Sequence, residues 1–191
     1  MNAFSLLNKK LRNILPRYGY KTPTDIQAKA IPLILSGYNV LLVSPTGTGK
    51  TEAALFPVIS RVLDETHEVE GVKVIYITPL RALNRDIFRR LTALVSELEL
   101  KLAIRHGDTP QSARRKMLDS PPDILITTPE TLQVLLVGRR LRNLLKNVKY
   151  VIVDEIHEII EDKRGVQLSV GLERLELLVG KRLQRIGISA T

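Results

Sequence analysis

Ser44-Pro45-Thr46-Gly47-Thr48-Gly49-Lys50-Thr51 follows the apolar run Val40-Leu41-Leu42-Val43 and opens a helical pattern, Glu52-Ala53-Ala54-Leu55-Phe56. A strand, a glycine-rich turn, Gly-Lys-Thr and a helix form the context of a phosphate-binding loop. Gly47 and Gly49 allow backbone angles that a Cβ disfavours, so successive N–H groups of Thr46 to Thr51 can converge on one anion. The helix N-terminus behind them adds its partial positive charge. In this pattern Lys50 reaches the β- and γ-phosphates of a nucleotide and the Thr51 hydroxyl holds Mg²⁺. Ser44 stands where the usual form has glycine, and a small residue still fits there.

Working outward, apolar and β-branched runs recur. They are Val72-Lys73-Val74-Ile75-Tyr76-Ile77, Leu102-Ala103-Ile104, Ile124-Leu125-Ile126, Tyr150-Val151-Ile152-Val153 and Ile186-Gly187-Ile188. Helical patterns separate most of them. Strands alternating with helices imply a three-layer α/β fold: a mostly parallel sheet with helices on both faces. Residues 1–191 suit a single domain, with a helical N-terminal segment to about residue 36 and a core from about residue 37. Phe4, Leu7, Leu11, Ile14 and Leu15 predict one helix over 3–18, and Thr24-Asp25 predicts a cap for a helix ending before Gly37. Pro57 predicts a kink in the helix after the phosphate loop. Residues 64–71 read as an exposed loop.

Composition narrows the function classes. The 191 residues contain no cysteine, which excludes disulfides and Cys-based metal sites. The three histidines, His67, His106 and His157, lack metal-ligand spacing. No apolar run approaches the roughly 20 residues of a membrane span, and the N-terminus has no signal-peptide core. An intracellular, cytoplasmic, soluble protein is the expectation. The formal net charge of +9 favours phosphate-bearing partners. Aromatic content of only 4% argues against a base-stacking platform.

A second candidate site lies where Tyr150-Val151-Ile152-Val153 runs into Asp154-Glu155-Ile156-His157. A buried strand ending in two carboxylates puts them at its C-terminal edge, where ligands bind in open α/β sheets. The phosphate loop leaves the same edge. Mg²⁺ takes one or two carboxylates plus substrate phosphates, which suits Asp154. Glu155 is then placed to orient and deprotonate a water. Two further strands end in Thr-Pro, at Thr78-Pro79 and Thr128-Pro129. Each pair predicts an N-cap and first helical residue, hence a helix start suited to a backbone phosphate. After Pro79, Leu80, Leu83, Ile87, Leu91, Leu94 and Leu98 form a core stripe, and Arg81 is the nearest cation to the helix start. Gly107, in His106-Gly107-Asp108-Thr109, would allow close approach of a strand backbone.

Ser44 to Thr51 and Asp154-Glu155-Ile156-His157 resemble motifs I and II of superfamily 2 helicases of the DExH kind, and Ser189-Ala190-Thr191 resembles motif III. The resemblance covers essentially the whole chain. It implies a RecA-like P-loop NTPase fold with the motif III strand between those of motifs I and II. It also implies that His157, Ser189 and Thr191 couple the nucleotide site to a nucleic-acid path. Tyr18 to Gln27 resembles the upstream Q motif; its glutamine amide matches N6 and N7 of adenine. On that likeness Gln27 reads ATP and Tyr20 packs on the base, supported by Phe4 or Tyr18. Pro79-Leu80-Arg81-Ala82-Leu83 and Thr128-Pro129-Glu130 resemble motifs Ia and Ib.

With Arg105-His106-Gly107-Asp108-Thr109, these segments look most like the Lhr (large helicase-related) branch, near the Ski2-like group. That branch comprises ATP-dependent motors that move 3′ to 5′ on single strands, typically DNA. The family's motifs IV to VI do not appear here. The resemblance therefore implies a second RecA-like domain as partner, carrying an arginine finger worth roughly 10³ to 10⁵ in rate. Weak ATP and nucleic-acid binding and poor hydrolysis are the expectation for this domain alone. Two alternatives stand beside it: a non-catalytic nucleotide- or nucleic-acid-binding regulatory module, and an RNA-directed helicase domain.

Overall fold

The computed structural model describes residues 2–65, 70–79, 85–161 and 163–191. Its strands are β1 (Val40–Val43), β2 (Val74–Ile77), β3 (Leu102–Arg105), β4 (Ile124–Thr127), β5 (Tyr150–Val153) and β6 (Gln184–Ser189). The helices are α1 (Lys9–Ile14), α2 (Asp25–Leu35), α3 (Lys50–Asp64), α4 (Arg85–Glu97), α5 (Gln111–Asp119), α6 (Pro129–Val137), α7 (Arg139–Leu145), α8 (Ile156–Ile160) and α9 (Lys163–Val179). All strand pairings are parallel, in the order β1-β6-β5-β2-β4-β3. The strand ending in Ser189 thus lies between the phosphate-loop strand and the Asp154 strand, as the helicase likeness implied.

Side chains alternate across the pleat, so the inner strands β2, β4 and β5 each feed two cores. Val74, Tyr76, Ile124, Ile126, Ile152, Ile186 and Ile188 pack with α1 to α4. Ile75, Ile77, Leu125, Val151 and Val153 pack with residues from α5 to α9. The three-layer expectation is met. One edge departs from it: Leu41 and Val43 of β1 are exposed, because among the described residues no helix covers the outer strand's second face.

One local expectation changes. The stretch 3–18 is not one helix but a 3₁₀ turn (Ala3–Leu6), α1, and a second 3₁₀ turn (Leu15–Tyr18). Asn8 is the reason. Its side chain accepts from Lys10 N while its own N–H donates to Ser60 Oγ at 2.7 Å, so Leu7 is extended and a new helix starts. The predicted core residues Phe4, Leu7, Leu11, Ile14 and Leu15 are nonetheless all buried. Pro57 lies inside α3, which runs on to Asp64. An internal proline costs about 3 kcal/mol, and the buried flanks Phe56, Val58 and Ile59 offset it. Leu94 of α4 and Leu98 just after it are buried and Leu91 packs against the same core; Leu80, Arg81 and Leu83 lie outside the described residues. Residues 66–69 of the expected loop do so too.

Gly187 lets the middle of the sheet close. A Cβ there would stand 2.5 Å from Ile156 Cδ1 and 2.9 Å from Leu41 Cδ1. Gly187→Val is therefore expected to destabilise the fold by about 1–3 kcal/mol, read as a lower urea midpoint; an unchanged midpoint would show that α8 has room to move.

Candidate nucleotide and nucleic-acid site

Parallel pairing brings every strand end to one edge. Register aligns Gly187, Val153, Ile77, Thr127 and Arg105 in one row, with Val43 opposite Ser189. The next residues in the chain are the predicted site residues. At the head of α3, Gly47 and Gly49 have φ of +79° and +86°, the left-handed region expected of them. The Ser44 hydroxyl, at the position that departs from glycine, donates to Thr48 Oγ1 at 2.9 Å and closes the loop on itself. Thr48 Oγ1 in turn reaches Pro45 O at 2.9 Å. Lys50 is buried, with Nζ inside the loop against Ser44 O and Pro45 O.

Gln27 sits behind this loop. Its Oε1 accepts from Thr24 N at 3.1 Å in a capping box, and its Nε2 donates to Gly49 O at 3.2 Å. The residue is only 2% exposed. One amide hydrogen and one oxygen lone pair remain beyond these bonds. A Cβ on Gly49 would meet Nε2 at 2.5 Å, so loop and glutamine are fitted to each other. Tyr20 donates to Glu52 Oε1 at 3.0 Å and stands edge-on to Phe56, with centroids 4.9 Å apart. Phe4 is buried against the same ring.

Asp154 and Glu155 occupy the end of β5. Asp154 Oδ1 accepts from Glu155 N at 2.9 Å, and Oδ2 accepts from the Tyr76 hydroxyl. The Thr51 side chain stands near the same phenol. Burial pushes the Asp154 carboxyl above its ordinary range; Tyr76, the Glu155 N–H and the Lys50 charge pull the other way without cancelling it. Burial also raises Glu155, and the neighbouring Asp154 charge adds to it. Glu155 has φ of +49°, uncommon for a side chain with a Cβ, and its buried Oε2 lacks a hydrogen bond. His157 Nδ1 is 3.4 Å from that oxygen, an ion-pair distance only if the ring is protonated, and 3.1 Å from Ser189 Oγ. Ser189 also bonds to Thr191 O, completing the expected link between the acidic turn and the last strand.

The donor set fits a small hard cation. Thr51 offers a hydroxyl and Asp154 a carboxylate, both hard oxygen donors. Among the described residues no three His, Asp or Glu side chains form a protein-only cage, which accords with Mg²⁺ held partly by substrate phosphates.

Farther along the edge, Thr128 caps α6 by accepting from Thr131 N at 3.3 Å, with Pro129 in the first turn, as predicted. The Thr131 N–H is thereby taken, and Glu130 pairs with Arg164 at 2.6 Å. Burial raises the Glu130 carboxyl, but its hydrogen bonds outweigh it and leave it below the ordinary range. Pro79 is buried after Thr78, and Gly107 is exposed. Two residues escaped the sequence reading. Tyr76 appeared only as one apolar position in a strand. Arg105, at the end of β3, is 7% exposed and has no ion-pair or hydrogen-bond partner for its guanidinium among the described residues. Burial, and then the nearby Arg114 charge, lower its affinity for its own proton. A buried arginine beside a second cation, with no carboxylate, is a signal visible only in three dimensions.

Fold and site define a RecA-like nucleotide-binding domain with a phosphate loop and an acidic strand end. A family model for DEAD/DEAH box helicases matches residues 24–191, and the chain belongs to that family. It is 48% identical over 182 residues to the ATP-dependent helicase Lhr-Core of Methanothermobacter thermautotrophicus, a match covering 88% of this chain and 21% of that protein. The structure of Mycobacterium smegmatis Lhr bound to ssDNA and AMP-PNP superposes with a TM-score of 0.88 at 36% identity, covering 100% of this chain and 26% of that one. The DEAD-box helicase Mss116 bound to ssRNA and UDP-BeF gives 0.89 at 25% identity, covering 100% and 41%. The chain thus spans about a fifth to two-fifths of these relatives. No helix among the described residues is long and apolar enough to cross a membrane.

Glu155 carries a stability cost that its protonation relieves. A carboxyl raised in the folded state binds more protons there, so stability falls as pH rises from the unfolded value through the folded one. Glu155→Gln is accordingly expected to melt higher than the parent at pH 7, with the gain fading below about pH 4. Melts in matched buffers check this; a pH-independent difference would place the effect elsewhere.

Proposed function

We propose that this domain is the ATP-binding half of an ATP-dependent helicase motor acting on a single strand, DNA in preference to RNA. The carrying observation is that Lys50 and Thr51 after β1 and Asp154 and Glu155 after β5 lie at the same sheet edge on either side of β6, with His157 bonded to Ser189 between them. Lys50 binds the β- and γ-phosphates. Thr51 and Asp154 hold Mg²⁺, which when bound offsets charge on those phosphates. Glu155, with an unsatisfied oxygen, accepts the proton of a water aligned on the γ-phosphate. Gln27 offers adenine its remaining hydrogen and lone pair while holding Gly49, so base and phosphate recognition share one side chain. Tyr20, anchored on Glu52, borders the base. His157, Ser189 and Thr191 carry a change at Glu155 to the last strand.

The strand path crosses Pro79, Arg81, Gly107, Thr128 and Pro129, with Arg105 added as a buried cation facing a phosphate. The preference for DNA rests on the likeness to Lhr, whose structure holds ssDNA. A second RecA-like domain in the longer parent protein supplies the facing wall and the arginine finger. The domain alone hydrolyses ATP poorly.

Two substitutions test the two halves of this reading. Lys50→Ala should weaken Mg²⁺-dependent binding of a fluorescent ATP analogue at least tenfold; equal affinity would refute the phosphate-loop assignment. Arg105→Ala should weaken binding to labelled single-stranded DNA and reduce the slope of log K against log salt by about 0.7, the loss of one phosphate contact. An unchanged slope would remove Arg105 from the strand path.

A further inference from the structure

The hydroxyl of Tyr76 needs a reason. Its ring is 6% exposed and stands among Val74, Ile124, Ile126, Ile152 and Ile186 on an otherwise apolar face. Phenylalanine would fill the same volume without a polar group to satisfy. Tyr150, on the same face, differs. It lies at the opposite edge, where its hydroxyl contacts Glu65 at 3.0 Å and Arg61 at 3.4 Å near the surface. The Tyr76 hydroxyl is directed into the nucleotide site.

Strand register explains the aim. Tyr76 pairs with Ile152, two residues before Asp154 and therefore on the same face. A long aromatic side chain spans to the next residue on that face, and the hydroxyl ends on Asp154 Oδ2. Thr51, at the first turn of α3, stands near the same phenol. One hydroxyl thus bonds β2 to the end of β5 beside the helix of the phosphate loop. The other Asp154 oxygen is held by Glu155 N at 2.9 Å. With a donor on each oxygen, the carboxylate has one orientation and keeps a free lone pair on each side.

We propose that Tyr76 is a positioning residue for the metal side of the nucleotide site, fixing the Asp154 carboxylate. This rests on the ATP·Mg²⁺ reading above. Tyr76 acts through that carboxylate, which would hold the metal. Losing such a supporting hydrogen bond typically costs about 10- to 100-fold in metal affinity or activity.

The test uses the whole chain and a fluorescent ATP analogue, titrated with Mg²⁺ and, separately, in EDTA. In Tyr76→Phe the Mg²⁺ concentration giving half the metal-dependent binding should rise about tenfold, while affinity in EDTA stays within twofold of the parent. Asp154→Asn should raise the same midpoint, and adding Tyr76→Phe to it should raise it no further, since the phenol acts through that carboxylate. A midpoint in Tyr76→Phe within twofold of the parent, or additive shifts in the double variant, would overturn the proposal. A loss of equal size in EDTA would also overturn it, by showing a general packing role. The unsubstituted chain reports separately on the underlying reading: without Mg²⁺-enhanced binding there, both fall.

Discussion

Parallel pairing of six strands in one register is the constraint on which the site depends. A parallel strand needs a crossover to return, so each strand must leave the sheet at the same edge as its neighbours. That geometry gathers the phosphate loop after β1, Asp154 after β5, Ser189 at the end of β6, Thr128 after β4 and Arg105 at the end of β3. Residues more than a hundred positions apart become neighbours without any contact between them being specified separately. The order β1-β6-β5 does the rest: it puts Ser189 between the loop and the acidic pair, where it meets His157 at 3.1 Å.

The site is locally unfavourable and the two cores hold it. Lys50 is buried against carbonyls, Asp154 and Glu155 are ionisable in a desolvated corner, and Glu155 is bent into the left-handed region. Each feature costs free energy, and strained or desolvated groups persist only where the surroundings over-determine them. Here the surroundings are fully buried strands on both faces, Ile75 and Ile77 on one side and Val74, Ile124 and Ile152 on the other. Hydrogen bonds across elements add direction: Gln27 to Gly49, Thr24 to Thr48 at 2.9 Å, and Tyr76 to Asp154. These links make the corner one rigid unit from α2 to β5.

Much of this was legible in the residues because it is local. A glycine with positive φ, a Thr-Pro helix start and an apolar run ending in Asp-Glu are written within a few positions, and Gly47, Gly49, Thr128 and Asp154 all stand where those patterns put them. Reading faltered where a local signal competed with another. The apolar spacing over 3–18 found the buried face but missed the break, because Asn8 caps a new helix in the middle of the stripe.

The sequence by itself determined the phosphate loop, the acidic strand end, the alternation of strands and helices, and the family they belong to. These depend on backbone preferences and short spacings, which a linear string records. Only the tertiary structure decided what Tyr76, Arg105 and the Gln27 amide touch. Tyr76 reaches Asp154 across 78 positions of sequence, and Gln27 reaches Gly49 across 22. Such contacts are set by strand order, register and the side of the pleat, and a shift of one residue in register would send the same phenol to the opposite face. That Arg105 has no ion-pair partner among the described residues has the same origin, since only packing sets which charges stand beside it.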